Sequence, residues 1–392
     1  MVVIKKKLID ILKYLLLLNF SFFLAFGIYE ERITKVCFVL GFILYLSLKF
    51  LEEGKNALKR LFEFTQINKF IFIFLIVCFL SIFFGVNPIH SQEVFFQRIL
   101  PYFILFFIAV NLSKDKKNTR ILIFSLLVGA FIVSIGGIVD IFKAKKFIRL
   151  FSSYGINCLY AAYFLYTLPL FVGFSLFHPS KRIKILSIFL SIPSFVCFFF
   201  HYSRGAWLGF LFAFLVVFFI VKKRRFIIFS LLFIAIIAFF SPLRKRLFSS
   251  STLHPSTWGD RVVMWKAALG IFKKYPALGA GIGNYELLMY KVVNPEEYKE
   301  GKVHLHAHST YLEVLAETGV LGFLSFLSIF VIFFKNKFKK LREKTDPVNL
   351  SLSVAVLAVL IADLAGSTIL VGINPPATFW FLFGLACSDL RH

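Results

Sequence analysis

The sequence predicts an all-α polytopic membrane protein with about twelve transmembrane helices. Of its 392 residues, 59% are hydrophobic and 55 are Phe, with a mean hydropathy of +0.83. Soluble domains carry roughly 45–50% apolar residues by a broad count. The apolar residues come in runs of about 15–25, long enough to cross a bilayer as helices. The short breaks between these runs are basic, as expected of loops on the cytoplasmic side.

The runs place spans at roughly 11–28, 33–51, 70–86, 99–112, 121–142, 159–177, 185–201, 206–221, 226–240, 311–334, 348–371 and 375–390. The fourth is short for a span and is tilted or merged with a neighbour. Lys5-Lys6-Lys7 before the first run imitates a secretion signal. No small-x-small cleavage site follows, so the run is read as an uncleaved helix. An even number of spans puts both termini on one side. That side collects Lys5–Lys7 and Lys13, then Lys55, Lys59, Arg60 and Lys69, then Lys114, Lys116, Lys117 and Arg120. It continues with Lys181, Arg182, Lys184, residues 222–225, the basic run 335–344 and Arg391, which makes it the cytoplasmic side.

The net charge of +25 is thus a topology signal, and nucleic acid is excluded as a partner. The five cysteines are scattered and odd in number, so they form neither a disulfide framework nor a Cys-based metal site.

These spans divide the chain into helices over 1–240, one long extracytoplasmic loop over 241–310 that covers a site, and helices over 311–392. An amphipathic helix is predicted within the loop at 261–274, with Val262, Trp265, Leu269 and Phe272 on one face. Asp260 is its N-cap and Pro276 its stop. One outer loop breaks the charge rule with Lys143, Lys145, Lys146 and Arg149. Two readings stand there: contact with lipid headgroups, or attraction of an anionic lipid-linked substrate.

Three stretches carry residues suited to chemistry. Ser203-Arg204-Gly205-Ala206-Trp207 lies between the seventh and eighth spans. Its arginine either snorkels to the interface, with Trp207 in an aromatic belt, or binds phosphate through its planar fork. Arg261 opens the loop helix and precedes Gly279-Ala-Gly281-Ile-Gly283. No strand precedes these glycines, so the dinucleotide fingerprint fails and a tight loop at the membrane surface is expected.

The third stretch, from His304 to Gly322, holds His304, His306 and His308, then Glu313, Glu317, Gly319 and Gly322. In an extended chain the three histidines share a face, which leaves a metal site, a surface cluster and a general base at His308 all open. Glu313 and Glu317 share a helical face, where they orient a histidine, bind hydroxyls or end a solvated turn. Asp363 inside the eleventh span is an expensive buried acid. It belongs either to a transport pathway or to a hydrogen-bonded helix contact near Gly366, Ser367 and Thr368.

His308, the small polar Ser309 and the Gly319-x-x-Gly322 pair, taken with Ser203-Arg204-Gly205 and with Arg261 and Trp265, resemble the O-antigen ligase family over roughly residues 195–335. The first half resembles it only in hydropathy and span count. Many members carry Asn after the histidine, where this chain has Ser309. The resemblance implies a GT-C-like membrane glycosyltransferase that needs no metal or other cofactor and inverts the anomeric centre. Its implied partners are an undecaprenyl-pyrophosphate-linked glycan as donor, lipid A–core as acceptor, and membrane lipids.

In that setting Arg204 and Arg261 hold the pyrophosphate by charge-assisted hydrogen bonds, and His308 takes the acceptor hydroxyl's proton. Nearby guanidinium groups favour the neutral imidazole that this requires. His306, Ser309 and Glu313 are the expected supporting contacts to pyrophosphate or glycan, with Lys146 and Arg149 nearer the approach of the donor. A polysaccharide polymerase would use the same donor. A transporter, from another class, would rest on Asp363 and has no use for this His/Arg set on one face.

Overall fold

The computed structural model describes residues 2–27, 31–57, 65–143, 157–201, 203–240, 259–292, 306–343, 346–364, 374–387 and 390. The first half comprises α1 (Val2–Phe26), α2 (Glu31–Glu53), α3 (Asn68–Phe84), α4 (Pro88–Val94), α5 (Leu100–Leu112) and α6 (Lys116–Lys143). Next come α7 (Asn157–Phe177), α8 (Lys181–Phe200), α9 (Arg204–Val221) and α10 (Arg224–Phe239). Two shorter helices, α11 (Gly259–Lys274) and α12 (Tyr285–Val292), precede α13 (Thr310–Glu343), α14 (Pro347–Leu364) and α15 (Asn374–Ala386). The chain is an all-α polytopic membrane protein. Among the described residues, eight helices are long and apolar enough to cross a bilayer, and Asn68–Phe84, Tyr163–Phe177 and Ala377–Ala386 are shorter apolar helices. The predicted ninth span falls on α10.

Two boundaries differ from expectation. The fourth span begins at Pro88 rather than 99: α4 and α5 join through a π-helical turn at Phe95–Ile99 into one apolar stretch, Pro88–Leu112. Asn87 caps its start by accepting from the His90 backbone N–H at 3.2 Å, with Pro88 at the first helical position. The basic run from 335 is helical as far as Glu343, since α13 continues past its apolar section. There Lys337 is fully buried and donates to the Ala386 carbonyl at 2.7 Å and to Asn349 Oδ1 at 3.2 Å, tying α13 to α14 and α15.

Packing in such a bundle rests on close backbone approach and dispersion, because lipid tails are as apolar as the side chains. Aromatic rings from α5, α13 and α15 interleave, with Phe103 and Phe330 both against Trp380. Tyr163 of α7 donates to the Leu24 and Leu126 carbonyls of α1 and α6. Helix α14 is the most enclosed of the eight spans and packs on both α7 and α9. Its contact with α9 is so close that a Cβ on Gly209 would lie 2.5 Å from the Ala358 carbonyl and 2.6 Å from the Ala362 side chain.

The expected loop helix forms as α11, which begins at Gly259. The face it turns inward is not the predicted one. Met264, Ala267, Ala268 and Ile271 are buried, whereas Leu269 is exposed and Val262, Trp265 and Phe272 are half-buried. The buried stripe packs on Tyr285, Leu288 and Met289 of α12 and on Ala307 and Ala316. Much of the predicted loop, residues 241–258 and 293–305, lies outside the described residues, as do Gly366, Ser367 and Thr368.

Candidate active site

The site forms around a break in a helix. Gly319 has φ 64° and ψ −167°, so α13 is two helices joined at a kink. An unbroken helix would bond the N–H of Val320 to the carbonyl of residue 316, and that of Leu321 to residue 317. Instead, Val320 N donates to the Pro276 carbonyl at 2.9 Å and Leu321 N to that of Ala277 at 3.4 Å. The carbonyls of Ala316 and Glu317 accept from Ala280 N at 2.9 Å and Gly281 N at 3.0 Å. The break frees four backbone groups, and the loop between α11 and α12 satisfies all four, as buried peptide groups require.

The glycines make this contact possible. A Cβ on Gly279 would lie 2.2 Å from the Glu317 carbonyl carbon, and one on Gly319 would lie 2.2 Å from the Ala277 oxygen. Both residues also have positive φ, which side chains disfavour. The same loop is tied to the turn between α3 and α4 and to α4 itself: Val86 N donates to the Ala280 carbonyl at 2.9 Å, and Asn284 Nδ2 to Ser91 Oγ at 3.2 Å.

Ahead of α13, His308 has φ 50°, one of two positive-φ residues other than glycine among the described residues. Its neighbours are fixed on both sides. Glu313 Oε2 accepts from Ala307 N at 2.9 Å, while its Oε1 lies 3.2 Å from His306 Nδ1. On the other side the Asp363 carboxylate accepts from Thr310 N at 3.0 Å and from Thr310 Oγ1 at 2.9 Å. Asp363 is fully buried and Glu313 nearly so. Glu313 therefore positions the histidine segment, Asp363 is a helix-joining hydrogen-bond acceptor, and the solvated-turn reading of the two glutamates fails. Ser309 is buried and its carbonyl accepts from Glu313 N, opening the helix.

The arginines reach the same end of the bundle by separate routes. Arg204 is the first residue of α9, capped by Ser203, whose Oγ accepts from Ala206 N at 3.4 Å. Gly209 packs on Ala362, the neighbour of Asp363, and Arg204 lies about 7–8 Å further along the helix axis. Trp207 is buried and donates to the Phe198 carbonyl at 3.1 Å, so it is a core residue rather than part of an aromatic belt. Arg261 lies in the first turn of α11. Three residues later, Met264 shares a packed cluster with Ala307, the residue before His308. Lys146, Arg149 and His304 lie outside the described residues.

Beside these elements is a cavity of about 100 Å³ lined by His90, Arg98, Tyr102, Glu286, His306, Glu313 and Glu317, among others. Of the residues singled out from sequence as supporting contacts, His306 and Glu313 line it. Glu317 Oε1 also accepts from Tyr285 N at 3.1 Å, and His90 Nε2 lies 3.3 Å from Glu286 Oε1. Sequence reasoning missed His90, Arg98 and Glu286. The available signal was the polar stretch His90-Ser-Gln-Glu-Val-Phe-Phe-Gln-Arg98 directly ahead of an apolar run. Such a cavity offers carboxylates and ring nitrogens to a polyhydroxylated ligand.

The comparisons with known proteins agree with the resemblance. No curated protein matches the chain. Residues 189–327, which include α9, α11, α12 and the kink of α13, match the family described as O-Antigen ligase, so this segment is similar to that family.

Proposed function

We propose that this membrane glycosyltransferase of the O-antigen ligase and polymerase type moves a glycan from undecaprenyl pyrophosphate to a sugar hydroxyl of lipid A–core. The reaction takes place on the periplasmic face of the bacterial inner membrane, both chain termini being cytoplasmic. His308 is the base. Its left-handed backbone is the observation that carries this reading, because a residue other than glycine persists there only when its surroundings over-determine it, and such strain clusters at functional sites. Glu313 and Asp363 supply that constraint from either side.

Arg204 and Arg261 hold the pyrophosphate. Each lies in the first turn of a helix, where the oriented N–H groups add to the field of the guanidinium. Pyrophosphate is already a good leaving group, so stabilising the charge that develops on it is the main requirement, and fixed cationic donors meet it without a metal. The acceptor hydroxyl is a poor nucleophile until its proton moves to His308 as the new glycosidic bond forms and the bond to the pyrophosphate oxygen breaks. Attack opposite the leaving group inverts the anomeric centre. His306, Glu313 and the cavity beside them bind sugar hydroxyls, and Ser309 sets the entry into α13. Lys146 and Arg149 draw the anionic donor towards the membrane surface.

The test is reconstitution of the purified chain with undecaprenyl-pyrophosphate-linked glycan and lipid A–core, with EDTA present. Transfer to the core is expected. Chain extension without transfer would make the protein a polymerase, and loss of activity with EDTA would refute the metal-free mechanism. Arg204→Lys should impair transfer strongly, since an ammonium cannot reproduce two-point phosphate binding.

A further inference from the structure

At the end of the bundle opposite the candidate active site, a crevice of about 460 Å³ opens between α6 and α8. Its walls are apolar. Phe124 and Leu127 of α6 face Leu186 and Leu190 of α8, and Phe171 and Phe174 of α7 form the floor. Phe124 and Leu186 are strongly exposed, so the crevice opens sideways to whatever surrounds the helices. The volume falls in the range of small-ligand pockets, about 300–1,000 Å³.

The mouth is built differently. Arg120 and His178 line it. Ser180 N donates to His178 Nδ1 at 3.1 Å, so a neutral ring carries its proton on Nε2 and offers a donor there. Helix α8 begins at this mouth with Lys181, Arg182 and Lys184, and Ser180 gives its first turn no side-chain cap. Lys116 and Lys117 are exposed at the start of α6, one turn from Arg120. Asp346, the acid at the mouth, accepts from Asn349 N at 3.0 Å as the cap of α14.

We propose that this crevice binds one anionic glycerophospholipid, with an acyl chain between α6 and α8 and its phosphate against Arg120, His178 and the first turn of α8. Charge complementarity decides the occupant: Arg120, Lys116, Lys117, Lys181, Arg182 and Lys184 outnumber the two carboxylates, Asp115 and Asp346, each engaged by a backbone N–H, and basic pockets between helices favour acidic headgroups. A phosphate at the start of α8 would also meet the positive end of a 20-residue helix. The site does not depend on the chemistry at His308, and its test needs no glycosyl transfer.

The experiment is native mass spectrometry of the purified full chain, given equal amounts of phosphatidylglycerol and phosphatidylethanolamine. The expected result is one retained lipid, predominantly phosphatidylglycerol. Arg120→Gln, a change at an exposed side chain, should lower that retention about fivefold, the share of one cation near a membrane surface. Arg120→Lys should keep most of it. Ser187→Phe, which fills the buried wall of the crevice, should lower retention of both lipids. Equal retention of the two lipids, absence of any retained lipid, or a phosphatidylglycerol preference unchanged in Arg120→Gln would each overturn the proposal.

Discussion

His308 sits between two carboxylates that do different work. Glu313 holds the backbone before it and Asp363 the backbone after it, so the imidazole is aimed by bonds that the ring itself does not make. His308→Ala should lower transfer by roughly 10²–10⁴-fold, the usual range for a lost general base, while the unfolding temperature stays near that of the parent. Asp363→Asn retains the shape but not the charge that strengthens both bonds from Thr310, and should cost about 1.5–3 kcal/mol of stability along with part of the turnover. If Asp363 acts through Thr310, the double variant Asp363→Asn/Thr310→Val should be no worse than the worse single one, which a double-mutant cycle measures. A carrier would show a different pattern, losing transport in Asp363→Asn while tolerating His308→Ala. His308, Arg204 and Arg261 were legible as a motif in the sequence. The part played by Asp363 was not, because its partner Thr310 lies 53 residues away and nothing local marks the pair.

At the scale of elements, the kink at Gly319 and the glycine loop form one unit, each completing the other's backbone hydrogen bonds. Gly319→Ala should therefore do more than strain one residue. It drives a methyl group into the Ala277 carbonyl at a positive φ, and a loss of about 1–3 kcal/mol from backbone strain alone is expected in thermal unfolding. The Gly319-x-x-Gly322 spacing and the tight loop at Gly279–Gly283 were each visible in the sequence, but their pairing was not, since hydrogen bonds between backbones leave no side-chain signature. The inward face of α11 was misread for a related reason. That helix carries apolar residues on both sides, so periodicity alone could not choose between them, and the small Ala267 and Ala268 contribute little hydrophobicity yet permit the closest packing. The start of the fourth span was hidden by His90, Gln97 and Arg98, polar residues that interrupt the apolar run, two of which, His90 and Arg98, line the cavity.

For the whole molecule, apolar runs and basic breaks were enough to establish an all-α membrane protein, though not its exact number of spans, because a bilayer requires every spanning segment to satisfy its own backbone. Which helices touch was not legible: α14 reaches α7 and α9 through small residues that any apolar helix could carry. The two ends of the bundle differ in character, with a mixed cavity of acids, histidines and Arg98 at one and a basic-lipped apolar crevice at the other. Between them runs α13, anchored near its far end by buried Lys337 and interrupted at Gly319. Long spans adapt to bilayers of different thickness by tilting. In α13 the break would act as a joint: the section beyond Leu321 can lean with the lipid while the roughly two and a half turns beside His308 stay fastened to the loop and to Asp363. Turnover in vesicles should accordingly vary little as lipid acyl chains are lengthened or shortened by a few carbons. A steep optimum at one thickness would mean that the two sections of the helix move as one rod.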